Sequence, residues 1–188
     1  MSARLRRLMS DYEKLTQEFT GHKYIKVEPM GGNPPERYLI TYNNIKGLKW
    51  DNAKKCPVET NFHQAEIYLH KNYPREKPQC TLRTEIFHPN FRSKGPICIS
   101  DHWAAGESLV DVVIQIGQMI QYQNFNPKSP LDAVAARWSR ENAHLFPIDN
   151  VDLYEPEPEI DIESEDDIEI ELMARPDCGL EDIDIELF

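Results

Sequence analysis

Strand-like and helix-like segments are kept apart along this chain of 188 residues, and that order limits the fold more than any single motif. Residues 2–19 place apolar side chains at helical spacing, and Ser2 can cap this helix. Gly- and Pro-rich turns that suit antiparallel hairpins separate four strand-like runs at residues 24–30, 37–45, 58–69 and 79–87. A helix is predicted at 109–121, and another begins at Ser129-Pro130 with Ser129 as its cap. Segregated strands and helices predict an α+β domain rather than a doubly wound sheet.

An irregular segment, residues 87–103, joins the strands to the later helices and contains one cysteine, Cys98. Its prolines and glycine break regular structure. Because Ile97 and Ile99 flank the cysteine, we expect a rigid, partly buried loop that presents one thiol. A chemically useful cysteine needs a fixed and partly exposed position of this kind.

Three interpretations of this loop follow from its residues. A cysteine peptidase would need a histidine paired with the thiol of Cys98, and the candidates are His88 and His102. The next predicted helix begins too late to place the thiol at a helix N-terminus, which disfavours a peptidase. A metal site would need clustered ligands, and these three residues follow no recognised metal spacing. A structural loop with an inert, buried Cys98 is the third interpretation.

The net charge of −11 is distributed unevenly. Residues 148–188 contain 17 acidic side chains and one base, whereas residues 1–147 contain 20 bases and 15 acids. We therefore predict a folded domain over 1–147 and an acidic interaction tail over 148–188, which argues against nucleic acid as the main partner. The tail alternates acidic and apolar residues, so we expect it to be disordered alone and to pair as a strand on binding.

Composition also bears on location and cofactors. No apolar run approaches the ~20 residues that span a bilayer, and the N-terminus lacks a signal-peptide pattern. We therefore expect a cytoplasmic protein with no membrane partner. The four cysteines show neither a Cys-x-x-Cys pair nor zinc-type spacing, so we predict no disulfide scaffold, metal or cofactor. Cys80, in a strand-like run, is expected in the core.

The motif His88-Pro89-Asn90, followed by Cys98 eight positions after the asparagine, resembles the active-site signature of ubiquitin-conjugating enzymes. Further matches to that family are Tyr73-Pro74, Pro78, Trp103, Asn126-Pro127 and Pro130-Leu131. The resemblance covers residues 2–147. It implies the UBC-like fold, in which an N-terminal helix and a four-stranded antiparallel meander precede the active-site loop and C-terminal helices.

The resemblance also implies an activity, that of a cysteine-dependent acyl transferase. Cys98 would accept a ubiquitin-like modifier as a thioester from an activating enzyme and pass it to a lysine of a target protein. Asn90 would stabilise the oxyanion or brace the loop, and Ser129 would gate the incoming lysine. His88 belongs to the same motif and is expected to act mainly structurally. The N-terminal helix would dock on the activating enzyme through Arg4, Arg6, Arg7 and Lys14, although these cations are equally typical of a solvated helix face.

Three departures from the family pattern suggest a divergent member. Only five positions separate Cys98 from Trp103. Arg75 and Lys77 occupy places in the ligase-binding loop where the family usually has phenylalanine and proline, and the last helix is truncated after Phe146. We predict a bacterial protein of antiviral defence, with a nucleotidyltransferase of a defence operon as a target. The alternative function is a non-catalytic binding module on the same fold, acting through its basic helix and acidic tail.

Overall fold

A computed structural model describes residues 2–99 and 103–154. The elements follow in the order α1 (Ala3–Phe19), β1 (Ile25–Met30), β2 (Arg37–Asp51), β3 (Cys56–Tyr68), β4 (Gln79–Leu82), α2 (Leu109–Ile120) and α3 (Ala133–Glu141), with a short 3-10 helix at Ala143–Leu145. The predicted α+β architecture is confirmed. The predictions of disorder and strand pairing in the tail fall on residues 155–188, outside the described residues.

Helix α1 forms as its apolar spacing predicts. The Ser2 hydroxyl accepts a hydrogen bond from the backbone N–H of Leu5 at 3.2 Å, which confirms the predicted cap. Leu8, Leu15 and Phe19 are buried on the side that faces the core. The rest of the helix surface is mostly polar, as in other helices that pack by one face.

The sheet is an antiparallel meander in the order β1-β2-β3-β4. Strand β2 continues to Asp51, so the predicted end at residue 45 is wrong. The pairing of β2 with β3 is interrupted by a bulge between Asn43 and Gly47, and it then resumes. A Cβ atom on Gly47 would lie 3.0 Å from both His63 and Ile120, which explains why a glycine closes the bulge. The bulge hides the alternation that would have revealed the longer strand.

Strand β4 ends at Leu82, earlier than the predicted residue 87. Beyond it the ladder is replaced by single hydrogen bonds. The N–H of Gln64 donates to the hydroxyl of Thr84 at 3.1 Å, and the N–H of Phe87 donates to the carbonyl of Leu48 at 2.7 Å. These two bonds hold residues 84 and 87 beside β3 and the end of β2, just before the cysteine loop begins.

Helix α2 lies against β2 and forms the centre of the core. Its Leu109, Val113 and Ile116 are buried, as the predicted stripe requires. The hydroxyl of Tyr42 on β2 donates to the carbonyl of Val113 at 2.8 Å and fixes the helix on the sheet. Among the described residues, no helix combines the length and apolar composition that crossing a bilayer needs.

Helix α3 begins at Ala133 with Asp132 as its N-cap, so the prediction that Ser129 caps it is wrong. The Asp132 carboxylate accepts two backbone N–H groups of the first turn, at 2.9 and 3.0 Å. The helix cannot start earlier because the N–H groups of Leu131 and Asp132 donate to the carbonyl of Pro89, at 2.7 and 3.1 Å. Residues 127–131 therefore pass the cysteine loop in a series of turns and bends before the chain enters the helix.

Residues 148–154, which we call the C-terminal strap, run along α2. The buried Gln121 side chain accepts a hydrogen bond from the N–H of Val151 at 2.8 Å and donates to its carbonyl at 3.2 Å. Leu153 is buried against Gly117 of α2. The carbonyl of Leu153 lies 3.3 Å from Nε2 of His22, at the end of α1. The strap therefore covers a face of α2 that would otherwise be open to water.

Candidate active site

The segment from Phe91 to Ile97 is a small hairpin tied to the edge of the sheet. The N–H of Gly95 donates to the carbonyl of Arg92 at 2.8 Å, and Phe91 pairs with Ile97. The N–H of Ile97 donates to the carbonyl of Cys80 on β4 at 3.0 Å. The loop is therefore held by main-chain bonds, as expected of a rigid segment.

Cys98 follows this hairpin and is partly exposed, whereas Ile97 and Ile99 on either side are buried. Its N–H donates to the carbonyl of Asn90 at 3.0 Å. The thiol lies at a small cleft of about 110 Å³. The cleft is lined by Asn90, Cys98, Ile99, Gln115, Met119, Asn124, Phe125, Asn126 and Ser129. The interpretation as a structural loop with a buried thiol does not fit this exposure.

Asn90 is buried, and its amide group is fully engaged. Its Oδ1 accepts the N–H of Asn126 at 2.7 Å, and its Nδ2 donates to the carbonyls of Asn126 at 2.8 Å and Ser129 at 3.3 Å. In this state the side chain braces the far wall of the cleft. An oxyanion near Cys98 would have to compete with these two carbonyls for the amide protons.

His88 lies beneath the loop and does not line the cleft. Its Nδ1 accepts the N–H of Asn90 at 3.1 Å, and its ring packs against Phe91, Tyr122 and Phe125. Complete burial lowers the pKa of the imidazole to about 3, so the ring is neutral at neutral pH. Its Nε2 has no hydrogen-bond partner in the described structure. His88 therefore supports the loop and is not placed to act on the thiol as a peptidase histidine would, whereas His102 lies outside the described residues.

Ser129 is exposed at the rim of the cleft. Its carbonyl accepts the long hydrogen bond from Asn90, while its side chain does not cap α3. The structure brings Cys98, Asn90 and Ser129 together around one opening. Within residues 2–99 and 103–154, no three His, Cys, Asp or Glu side chains are grouped as a metal ion requires.

The four cations of α1 fall into two groups. Arg6 and Lys14 are exposed. Arg4 forms an ion pair with Glu36 at 2.7 Å and also donates to the carbonyl of Leu69 at 3.0 Å. Arg7 is partly buried, and its guanidinium group is bound by other groups of the fold. These residues lie away from the cleft, and only the first group is displayed as a free docking surface would be.

Gln115 is a cleft residue that the sequence pattern did not single out. It lies on the more exposed side of α2, and its Nε2 donates to the carbonyl of Ile99, the residue after Cys98. Asn124 and Asn126 add further amide groups to the same opening. A glutamine beside the apolar stripe of α2 is the only signal in the sequence, and it does not reveal which loop the amide reaches. The polar groups that line the cleft beside the Cys98 thiol are therefore neutral amides and a hydroxyl.

The comparisons with known proteins agree with this geometry. Residues 33–151 match the family model described as ubiquitin-conjugating enzyme. The chain belongs to the ubiquitin-conjugating enzyme family. The match covers all of the sheet except β1, the cysteine loop, α2 and α3, and it ends within the C-terminal strap.

Individual members of the ubiquitin-conjugating enzyme family support the assignment over different lengths. Ubiquitin-conjugating enzyme E2 1 of Caenorhabditis elegans is 26% identical over 190 residues, which cover 95% of this chain and 90% of the relative. Human ubiquitin-conjugating enzyme E2 K is 30% identical over 138 residues, covering 71% and 64%. A ubiquitin-conjugating enzyme E2 of African swine fever virus is 26% identical over 152 residues, covering 73% and 62%. The chain thus spans under two thirds of the length of the human and viral relatives. The bacterial origin and the defence role stay predictions.

Trp103 and the pair Arg75 and Lys77, which were compared with the family pattern above, lie close together in the structure. Trp103 packs against Tyr73, with ring centroids 6.1 Å apart, and its indole N–H donates to the carbonyl of Pro74 at 2.8 Å. Arg75 and Lys77 line a groove of about 710 Å³ that reaches Trp103. Two of the three departures from the family pattern, the short Cys98–Trp103 spacing and the Arg75/Lys77 pair, therefore lie on one surface.

Proposed function

We propose that this chain carries a ubiquitin-like modifier as a thioester on Cys98, which it receives from an activating enzyme and passes to an amine of a protein target. The observation that carries the proposal is the partly exposed thiol at a cleft lined by amide side chains. Membership of the ubiquitin-conjugating enzyme family supports the same chemistry.

In the loading step, the Cys98 sulfur attacks the carbonyl carbon of the thioester on the activating enzyme. A new carbon–sulfur bond forms, and the cysteine of the activating enzyme leaves as a thiolate. In the transfer step, an amine nitrogen attacks the same carbon, the Cys98 thiolate leaves, and the amine loses a proton to the solvent.

Asn90, Ser129 and Gln115 support the transfer in different ways. The brace that Asn90 forms holds the 126–129 segment beside the thiol. Ser129, at the rim, lies where an incoming lysine would pass. Gln115 holds the carbonyl of Ile99 and so limits rotation of the chain next to Cys98. Each contact reduces the conformational freedom of the reacting group before the transfer.

The partners follow from the proposal: a ubiquitin-like modifier, an activating enzyme and a protein target. The exposed Arg6 and Lys14 of α1 are the proposed docking cations for an acidic surface of the activating enzyme. A cytoplasmic location is part of the same proposal. So is the division into a folded domain over residues 1–147 and an acidic tail over 148–188, of which the first residues, the C-terminal strap, pack on α2. The non-catalytic binding module has no comparable observation in its support.

A thioester trap tests the proposal. Wild-type protein is incubated with candidate activating enzymes, modifiers and ATP, and adducts are separated with and without thiol reductant. We expect a reductant-sensitive adduct for wild type, a reductant-resistant ester for Cys98→Ser and none for Cys98→Ala. Cys56→Ser, which changes an exposed cysteine on β3, is the matched control and should retain the labile adduct. Loss of the adduct in Cys56→Ser with its retention in Cys98→Ala would overturn the assignment.

A further inference from the structure

Arg7 differs from the other cations of α1 because its guanidinium group is directed into the molecule. Its Nε lies 2.9 Å from both carboxylate oxygens of the buried Asp11, one turn along the helix. Its Nη2 donates to the hydroxyl of Tyr73 at 2.9 Å, and its central carbon lies 5.2 Å from the centre of the Tyr73 ring. The charge of Arg7 is therefore balanced within the fold.

The other donors of Arg7 reach the segment that follows the cysteine loop. Nη1 donates to the carbonyl of Ala105, and Nη2 also donates to the carbonyl of Glu107. These residues belong to a tight turn in which the N–H of Glu107 donates to the carbonyl of Ala104 at 2.9 Å. The next residue, Ser108, caps α2. Arg7 thus fixes the turn between Trp103 and the helix that lines the cleft.

Tyr73 connects the same network to Trp103. Its hydroxyl donates to Asp11 at 2.7 Å, and burial together with the Asp11 carboxylate raises the pKa of the phenol. Its ring packs against Trp103, whose indole N–H is bound to the carbonyl of Pro74. A buried carboxylate is stable only while paired, so loss of one member disturbs the others. The contacts form one continuous set from α1 to Trp103.

The structure assigns Arg7, together with Asp11 and Tyr73, to positioning the chain after Cys98 rather than to docking a partner. The inference rests on the proposed function of Cys98. The turn leads into α2, and Gln115 of that helix holds the carbonyl of Ile99 next to Cys98, so a shift of the turn reaches the cysteine loop through the helix. A lysine has one compact ammonium group and cannot reproduce the fork that holds Asp11, Tyr73 and two carbonyls at once. Arg7 therefore controls the rate at which Cys98 is loaded, and not the affinity for the activating enzyme.

The first test compares Arg7→Lys with Arg6→Lys, the same substitution at the exposed neighbouring arginine. Loading of Cys98 is measured over a range of activating-enzyme concentrations. We expect Arg7→Lys to lower kcat by about tenfold or more while KM for the activating enzyme stays within about twofold. Arg6→Lys should change neither quantity, and Arg6→Ala should raise KM at unchanged kcat.

The second test needs neither activating enzyme nor modifier. Alkylation of Cys98 by iodoacetamide is followed by peptide mass spectrometry in a Cys56→Ser background. We expect the Cys98 rate to change by about threefold or more in Arg7→Lys and to stay unchanged in Arg6→Lys, because only the former moves the thiol. If wild type forms no thioester, the proposed function fails while this measurement still decides the role of Arg7.

Asp11→Asn and Tyr73→Phe disrupt the same network at buried positions that no partner can contact. We expect each to reproduce the fall in kcat, and the Arg7→Lys/Asp11→Asn double variant to be no slower than the slower single variant. Thermal unfolding identifies any variant that is not folded at the assay temperature. If Arg7→Lys is unfolded there, Tyr73→Phe, which removes a single oxygen, replaces it in the kinetic test. A higher KM at unchanged kcat in Arg7→Lys would make Arg7 a docking residue and overturn the inference. Lower thermal stability with unchanged kcat and alkylation would overturn it as well.

Discussion

Asn90 and Asn126 form a reciprocal pair across the cleft, in which one side-chain amide satisfies both the N–H and the carbonyl of the other residue. The two bonds are 2.7 and 2.8 Å long, and Asn90 is buried. The two hydrogen bonds resemble those between paired residues of antiparallel strands, with a side-chain amide in place of one backbone. It fixes the distance between the cysteine loop and the segment that precedes α3.

Asn90→Asp tests what this pair contributes. The new carboxylate keeps the acceptor for the N–H of Asn126 but places a second oxygen against the carbonyls of Asn126 and Ser129. We expect the free energy of unfolding to fall by about 1–3 kcal/mol, because the two carbonyls lose their donor and a buried carboxylate oxygen faces them instead. Discharge of the proposed thioester to free lysine should slow by about 10²-fold or more.

Urea denaturation and single-turnover discharge measure the two effects. Asn124→Asp is the control, since Asn124 lines the same cleft but is exposed. It should leave stability within about 0.5 kcal/mol of wild type. Equal losses in the two variants would show that charge in the cleft, and not the pair, is responsible.

The thiols are expected to differ in reactivity in the folded protein. Cys80 is buried on β4, and burial raises the pKa of its thiol to about 12. Cys56 is exposed, and Cys98 is partly exposed. Iodoacetamide should therefore label Cys56 and Cys98 at least about 100-fold faster than Cys80 in buffer, and at similar rates in concentrated urea. Peptide mass spectrometry gives the three rates, and rapid labelling of Cys80 in buffer would contradict the burial described for β4.

Two buried histidines should make the fold sensitive to mild acid. Burial lowers the pKa of His63 from 6.5 to about 4 and that of His88 to about 3. Between these values and pH 6.5 the unfolded chain binds protons that the folded chain excludes. The contribution of these histidines to the free energy of unfolding is therefore fully present above pH 6.5. For each histidine, the free energy of unfolding falls by roughly 1 kcal/mol per pH unit as the pH drops toward 4.

His63→Gln should reduce this slope, because a glutamine does not titrate. The free energy of unfolding is measured by urea denaturation from pH 7.5 to 5 in wild type, His63→Gln and His144→Gln. His144 is exposed and provides the control, which should follow the wild-type slope. An identical slope in all three proteins would place the acid sensitivity elsewhere.

Gly117 and Leu153 should be strongly coupled. In a helix interior, glycine to alanine usually stabilises by about 1 kcal/mol. Here a Cβ atom would overlap the end of the Leu153 side chain and lie 3.2 Å from the Tyr42 ring. We expect Gly117→Ala to destabilise by about 1–3 kcal/mol in wild type and to lose most of that effect, or to stabilise, in a Leu153→Ala background.

A double-mutant cycle in urea measures this coupling. Leu153→Ala alone should cost about 2–4 kcal/mol, since Leu153 is almost fully buried. Limited proteolysis should cut the C-terminal strap faster in each single variant than in wild type. If Gly117→Ala changed the free energy of unfolding by the same amount in both backgrounds, Leu153 would not occupy the space above Gly117.

Local patterns predicted which elements form. The apolar stripe of α2, the Ser2 cap of α1 and the burial of Cys80 are all confirmed, because each depends on residues a few positions apart or on hydrophobicity alone. Three boundaries were missed for a common reason. The end of β2, the end of β4 and the start of α3 are fixed by hydrogen bonds and close contacts between segments distant in sequence, such as those to Pro89 and Gly47.

The sequence by itself determined the α+β order, the rigid loop around Cys98 and, through its motif, the family to which the chain belongs. Only the tertiary structure decided how the cations of α1 divide. Helical spacing treats Arg6 and Arg7 as adjacent residues of like charge. Apart from Asp11, four positions further along α1, the groups that bind Arg7 lie 66 to 100 positions away in the chain. Which arginine turns inward depends on where the fold brings Tyr73 and the 104–107 turn, and periodicity along one helix carries no information about that.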